Sequence, residues 1–220
     1  KMKKGIVIAG TSGIGASIAK YLEGSVEELV VTGRKSLDTS SMVSVKKFIT
    51  KHSSTDILIM NTGGPPAKEF SEITEEEWLR YHNQLFLSFV RILQGIKIND
   101  NGYVFLISSL NIKEPNSSLI LSNSYRIALV SVLKSLSKIF MEKNISFINI
   151  APGPTMTPRL QQLLDDSNSN INEFVKGLPT GRVANPDDIG SFVEWVITNK
   201  ITSLNGLTIP FDMGLLNHIL

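Results

Sequence analysis

The sequence predicts an α/β fold, a doubly wound parallel sheet in three layers, and three observations support that reading. Six short apolar, β-branched runs alternate with segments of helical periodicity. The runs are nearly continuously apolar, as strands covered on both faces must be. All but the last end in glycines, Asn, Ser or Pro-Gly, so their loops share one crevice beyond the carboxyl ends of the strands.

In chain order, residues 4–9 form the first strand and 13–23 the first helix, with Ile14, Ile18, Ala19 and Leu22 on one face. Between them stands Gly10-Thr11-Ser12-Gly13-Ile14-Gly15, spaced G-x-x-G-x-G. Strand, glycine turn and helix together aim backbone N–H groups and the positive helix end at a pyrophosphate. Side chains there would hold the phosphate off the backbone. The same trio also suits a plain tight turn, and its spacing alone does not choose between the two. A second strand, 28–32, stops at Gly33-Arg34-Lys35. Residues 42–52 read as a helix, and 56–60 as a strand ending in Asn61-Thr62-Gly63-Gly64. Thr74 to Glu77 is a capping box. It opens a helix over 74–96 with Trp78, Tyr81, Leu85, Phe89, Ile92 and Ile96 at helical spacing. Strand 103–107 ends in Ser108-Ser109, helix 121–142 follows, and strand 145–150 ends in Ala151-Pro152-Gly153-Pro154. Asn185 precedes a helix with Pro186 in its first turn and Asp187 and Asp188 on its dipole. Residues 206–210 are the last strand.

Composition excludes several function classes. A chain of 220 residues makes one domain, 1–220, with room for a sizeable core. Hydrophobic content of 42% and charge of 19% are those of an ordinary globular protein. Net charge is +2 and no basic run is interleaved with aromatics, which argues against a nucleic-acid partner. With no cysteine there is no disulfide and no thiolate catalysis. His52, His82 and His218 are scattered, so no metal is expected. No run of about 18 apolar residues is present, so no membrane span is expected. The first residues lead straight into a strand without a signal peptide, and a cytoplasmic location is the expectation.

Over essentially its whole length the chain resembles the short-chain dehydrogenase/reductase family, most of all its 3-oxoacyl-acyl-carrier-protein reductases. Ile8 to Gly15 lies on the family's T-G-x-x-x-G-x-G, with Ile8 and Ala9 in place of its Thr and first Gly. Asp56-Ile57-Leu58-Ile59-Met60-Asn61-Thr62-Gly63 lies on D-I-L-V-N-N-A-G, and Ala151-Pro152-Gly153-Pro154-Thr155 on the Pro-Gly segment beside the nicotinamide. Leu178 to Arg182 with Pro186 to Ile189, and Asn205-Gly206 with Asp212-Met213-Gly214, resemble its closing segments. Five matches in order make a specific signal.

The resemblance implies a Rossmann-type fold, a nicotinamide cofactor and hydride transfer to a carbonyl or from an alcohol. The substrate would be a 3-oxoacyl thioester, a ketone or a sugar. Of the family's four catalytic residues only the serine remains, at Ser109. Ser122 stands where the tyrosine is expected, Arg126 replaces the lysine and Leu85 the asparagine. A serine hydroxyl is a far weaker acid than a phenol, and Arg stays charged. Arg126 can hold ribose hydroxyls and place charge beside the nicotinamide. Tyr125, about one turn beyond Ser122, either swings towards Ser109 or packs in the helix interface. Ser122 itself reads equally as a helix-start hydroxyl.

The cofactor cradle so implied comprises Gly10, Thr11, Ser12, Gly13, Ile14, Gly15, Asp38, Asn61, Thr62, Gly63, Arg126, Pro152, Gly153 and Thr155. Arg34 and Lys35 after the second strand, with no acid there, favour NADP(H) over NAD(H), unless that turn is merely solvated. The family places a helix, a strand and a helix between Gly33 and Asp56. A parallel crossover needs a dozen or more residues, which 34–37 cannot supply. The outer strand and one crossover helix are therefore lost or vestigial, leaving the adenosine pocket open on one side. Residues 155–184, with one helix through Leu160, Leu163 and Leu164, form a substrate lid or a plain surface excursion. Segments 74–96 and 121–142 are too apolar all round for a monomer's surface, and the resemblance implies that they pair in a homodimer or homotetramer.

Overall fold

The structure, a computed structural model, describes residues 2–217. His218 lies outside them. Six parallel strands form one sheet: β1 (Met2–Val7), β2 (Val26–Val31), β3 (Ser54–Met60), β4 (Lys97–Ile107), β5 (Ser146–Pro152) and β6 (Thr208–Phe211). Their order is β2-β1-β3-β4-β5-β6. Eight α-helices are described: α1 (Gly13–Leu22), α2 (Met42–Lys51), α3 (Glu75–His82), α4 (Ser88–Gly95), α5 (Ile120–Ile139), α6 (Pro158–Asp166), α7 (Ile171–Lys176) and α8 (Pro186–Thr198).

The strand period of two divides the core between the faces of the sheet. Ile6, Leu58, Val104 and Phe147 point to one face, where Phe48 of α2, Phe89 and Ile92 of α4, and Leu129 and Leu133 of α5 cover them. Val7, Ile57, Ile59 and Phe105 point to the other, under Ile18 and Leu22 of α1 and Val193 and Val196 of α8. This is the three-layer, doubly wound arrangement that the apolar runs require. α1 and α8 lie so close that a Cβ on Gly190 would stand 2.4 Å from Ser17 Oγ. Ser17 Oγ and Lys20 Nζ both donate to the Asp187 carboxylate, at 2.7 and 2.9 Å.

Between Thr32 and Ser53 the only regular element is α2, and β2 is the edge of the sheet. The outer strand and one crossover helix are absent, as the length of that segment demands.

Three elements differ from the sequence expectation. β4 begins at Lys97 because polar Lys97 pairs with Ser54, and Ile98 with Thr55, before a register shift. Those polar residues hide the first half of the strand from an apolar-run reading. The helix over 74–96 is interrupted by a π-helical turn, Asn83–Leu87, in which the Ser88 N–H donates to the Asn83 carbonyl five residues back. Residues 155–184 hold a second helix besides the one through Leu160: Asn170 caps α7, its side chain accepting from the Glu173 N–H at 3.0 Å. In addition Ser117–Ile139 is long and apolar enough to cross a membrane by length and composition, although no unbroken apolar run marks it. Its Leu129 and Leu133 belong to the core.

Candidate active site

The carboxyl ends of β1 to β5 deliver their loops to one side of the sheet. After β1 the chain turns sharply, with Ala9 at φ 51° and Gly13 at φ 54°. The Gly10 N–H donates to the Thr32 carbonyl at 2.8 Å, fixing the turn to the end of β2. A Cβ on Gly10 would stand 2.7 Å from Val31, and one on Gly15 only 2.2 Å from the Ala9 carbonyl oxygen. Glycine at 10 and 15 is therefore a packing requirement. Ser12 is the N-cap of α1, yet its side chain bonds none of the helix N–H groups. The first N–H groups of a helix have no partner within it, so this end is open to an anion. Thr11 and Ser12 are exposed, Ile14 is half-buried, and Thr11 packs over Gly33.

β3 ends against the same turn. Asn61 Nδ2 donates to the Ala9 carbonyl at 3.2 Å. The Gly63 carbonyl accepts from Gln84 Nε2 at 2.9 Å, and Gln84 sits in the π-helical turn. Thr62 and Thr39 hydroxyls meet at 3.3 Å. A cavity of about 340 Å³ runs along these loops, lined by Ile8, Ala9, Arg34, Asp38, Thr62 and Gly63 among others. Asp38 accepts from the Ser40 hydroxyl at 2.7 Å. That bond, assisted by Arg34 and Arg80, outweighs partial burial and holds the carboxyl below its usual range. Lys35 is exposed and Arg34 stands on the cavity wall.

Arg126 lies behind the loops that follow β3 and β4. Its Nε donates to Ser122 Oγ at 3.0 Å, and its two terminal nitrogens donate to the Ile107 and Thr62 carbonyls at 3.2 Å each. It thus ties the ends of β3 and β4 to α5. Burial, with Arg159 nearby, lowers its pKa to about 10, so it remains a cation at neutral pH. Ser122 is buried, and Ser109 Oγ accepts from the Asn111 N–H at 3.2 Å.

Tyr125 faces elsewhere. Its hydroxyl donates to the Trp78 carbonyl at 3.0 Å, and its ring meets Trp78 and His82 edge-on. Of its two sequence readings this is the helix-interface one. Desolvation moves its pKa up, away from the neutral range. Leu85, at the asparagine position, is buried beside Tyr81 and Leu121.

The Pro-Gly loop closes the far side. Pro152 pairs with Phe211, and the Gly153 N–H donates to the Phe211 carbonyl at 2.9 Å. Thr155 is buried and spends its hydroxyl on the Gly153 carbonyl at 2.9 Å. Thr157, which sequence reasoning missed, is the residue of this segment that touches the glycine turn: a Cβ on Gly13 would stand 3.2 Å from its methyl. Its hydroxyl accepts from the Leu160 N–H at 3.3 Å, capping α6. Thr-Pro at a helix start was the available signal. Arg159, Arg80 and Gln84 were also missed, and nothing local in the sequence marks them.

A family model described as enoyl-(acyl carrier protein) reductase matches residues 31–216. The chain belongs to this family, within the short-chain dehydrogenases/reductases. It is 26% identical to a 3-oxoacyl-[acyl-carrier-protein] reductase from Chlamydia muridarum, over 97% of each chain. Among solved structures, a short-chain dehydrogenase family protein from Francisella tularensis superposes with a TM-score of 0.87 at 17% identity, covering 98% of this chain and 99% of that one. A small-chain dehydrogenase in complex with NADPH superposes with a TM-score of 0.82 at 25% identity, covering 98% and 99%.

Proposed function

We propose that the protein is an NADP(H)-dependent oxidoreductase acting on a carbonyl/alcohol pair: a 3-oxoacyl thioester, a ketone or a sugar. The observation on which this rests most is the cradle after β1, where glycine is sterically required and the α1 N-terminus lacks a side-chain cap. Gly13, Ile14 and Gly15 would hold the diphosphate there, and Asp38, Thr62 and Gly63 the adenosine side. Arg34 on the cavity wall suits a 2′-phosphate, and the structural relative named above binds NADPH. When bound, the nicotinamide supplies or accepts a hydride.

The chain's own residues do the rest. Ser109 orients the substrate oxygen. Arg126 sets a fixed positive charge across the ends of β3 and β4, where ribose hydroxyls would lie. Ser122 accepts from Arg126 Nε, so its own proton is free to be donated and the adjacent cation makes that easier. It is the proton donor that takes the place of the phenol. Segment 155–184 covers the cleft as a lid, with Arg159 on α6 donating to the Pro65 carbonyl of the loop after β3.

Thermal melting with each dinucleotide tests this directly. NADPH at about 100 times its Kd adds about 2.7 kcal/mol. For a chain of this size that is a rise of about 5–10 °C, and NADH should give clearly less. No rise with either overturns the reading. A second reading, a dinucleotide-binding protein without catalysis, is favoured by the engagement of Tyr125 with Trp78. Turnover of ketones, 3-oxoacyl thioesters or sugars that disappears in Ser109→Ala rules it out.

A further inference from the structure

Arg80 lines the cavity with its charge unused. It stands on α3 and shares the wall with Tyr81 of the same helix and with Arg34 and Asp38 from the loop after β2. Among the described residues the ion pairs are Lys4–Glu28, Lys20–Asp187 and Lys68–Glu77, and the Arg80 guanidinium takes part in no ion pair and no hydrogen bond. Its Cζ lies 5.5 Å from the centre of the Tyr81 ring. Tyr81 is buried, so that ring is a fixed surface against which the guanidinium rests. Glu77 feels Arg80 only through space, since its carboxylate is taken by Lys68 Nζ at 2.8 Å and the Thr74 N–H at 2.9 Å.

An acceptor is left over on the same cavity. Asp38 Oδ1 accepts from the Ser40 N–H at 3.0 Å and from the Ser40 hydroxyl at 2.7 Å, while Oδ2 accepts from no described residue. Arg80 acts on this carboxyl through space, yet the two do not pair. Opposite charges on one cavity that do not reach each other present a donor and an acceptor to whatever enters. An anion placed there is drawn by Arg80 and repelled by Asp38, and a cation the reverse. A neutral group carrying an N–H donor beside an acceptor on one edge satisfies both. The adenine edge is such a group, with its exocyclic amino donor next to a ring-nitrogen acceptor. Beyond β2 no described strand stands to support a base from outside, so a grip from α3 matters more here.

We propose that Arg80 is a recognition residue for the adenine ring of the dinucleotide: Asp38 Oδ2 accepts from the exocyclic amino group and the Arg80 guanidinium donates to the ring nitrogen beside it. This rests on the dinucleotide reading of the cavity, to which it adds a residue that none of the motifs carrying the family resemblance reaches. Arg34 is left for the 2′-phosphate, so the two arginines divide base from phosphate.

Calorimetric titration of the whole protein tests it with NADPH, NADH and the NADPH analogue that carries hypoxanthine in place of adenine. Arg80→Met should weaken NADPH and NADH by the same factor, about three- to tenfold, as loss of one hydrogen bond does. Arg80→Gln, whose amide still donates, should lose less. Arg34→Met should instead weaken NADPH more than NADH. The wild type should bind the hypoxanthine analogue about tenfold more weakly than NADPH, because a carbonyl then faces the Asp38 carboxylate. An Arg80→Met variant that melts cooperatively and binds both dinucleotides as the wild type does overturns the proposal. So does an Arg80→Met loss confined to NADPH, which would make Arg80 a phosphate contact, and so does equal affinity for the hypoxanthine analogue and NADPH. The wild type separates these outcomes from failure of the cofactor reading: if it binds no dinucleotide, that reading falls and takes Arg80 with it, whereas NADPH bound equally by wild type and Arg80→Met removes Arg80 alone.

Discussion

At the residue scale, Arg126 is the substitution around which the site is rebuilt. A lysine is a point charge on a flexible stem, whereas a guanidinium is a planar fork. Here the fork bonds a carbonyl from each of two strand ends and a hydroxyl on its own helix. Arg126→Lys keeps the charge but cannot span those three partners. We expect it to cost about 1–3 kcal/mol of stability, because the freed carbonyls are partly buried, and to lower turnover; denaturant melts and steady-state rates check both. Gly15→Ala forces a Cβ to within 2.2 Å of a carbonyl oxygen. Overpacking of this kind costs about 1–3 kcal/mol, and the NADPH-induced rise in melting temperature should vanish with it. The places of the glycines and Ser109 at strand ends, and of Arg126 on α5, were legible in the sequence because short motifs fix their spacing. Arg159, Gln84 and Thr157 were not, since each reaches the cleft from an element whose placement is decided by packing far along the chain. Tyr125 shows the converse: its position in sequence admits two roles, and only the partner of its hydroxyl distinguishes them.

At the scale of elements, β1, β3 and β4 are laced together by one acid. Asp56 accepts from the Lys4 N–H at 3.0 Å and from Asn99 Nδ2 at 2.6 Å. Burial pushes its pKa up, but these donors, with the Lys3 N–H, outweigh it and the net shift is downward. A carboxyl depressed in the folded state stabilises above its unfolded pKa of about 4 and loses that contribution as pH falls through the folded value. Asp56→Asn should therefore cost about 1.5–3 kcal/mol at neutral pH and flatten the acid limb of stability against pH, read by melts between neutral pH and the acid limb. Element order and type were readable from alternating periodicity, since the strands are apolar on both faces. What could not be read was irregularity. The π-helical turn preserves the apolar stripe of 74–96 while inserting one residue, and the polar start of β4 pairs through its backbone and the Asn99–Asp56 bond. Neither leaves a mark in hydropathy.

For the whole molecule, the helical layer of α3 and α5 exposes Leu79 at 60% and Ile127 at 45%. We expect this face to join two copies. Light scattering should show a dimer or tetramer, and Ile127→Asp should shift it towards monomer; a monomeric wild type at micromolar concentration contradicts this. Loss of the outer strand was readable as a shortage of chain between Gly33 and Asp56. The position of the shortage in the sheet follows from order: among the described residues β2 has a neighbour only in β1. An unpaired strand edge is a template on which further chains aggregate. The first half of β2 carries Glu27 and Glu28, both exposed, with Glu28 paired to Lys4 at 3.0 Å. Two such edges brought together would set glutamates of neighbouring molecules against each other, so the shortened sheet carries its own guard against fibrous association.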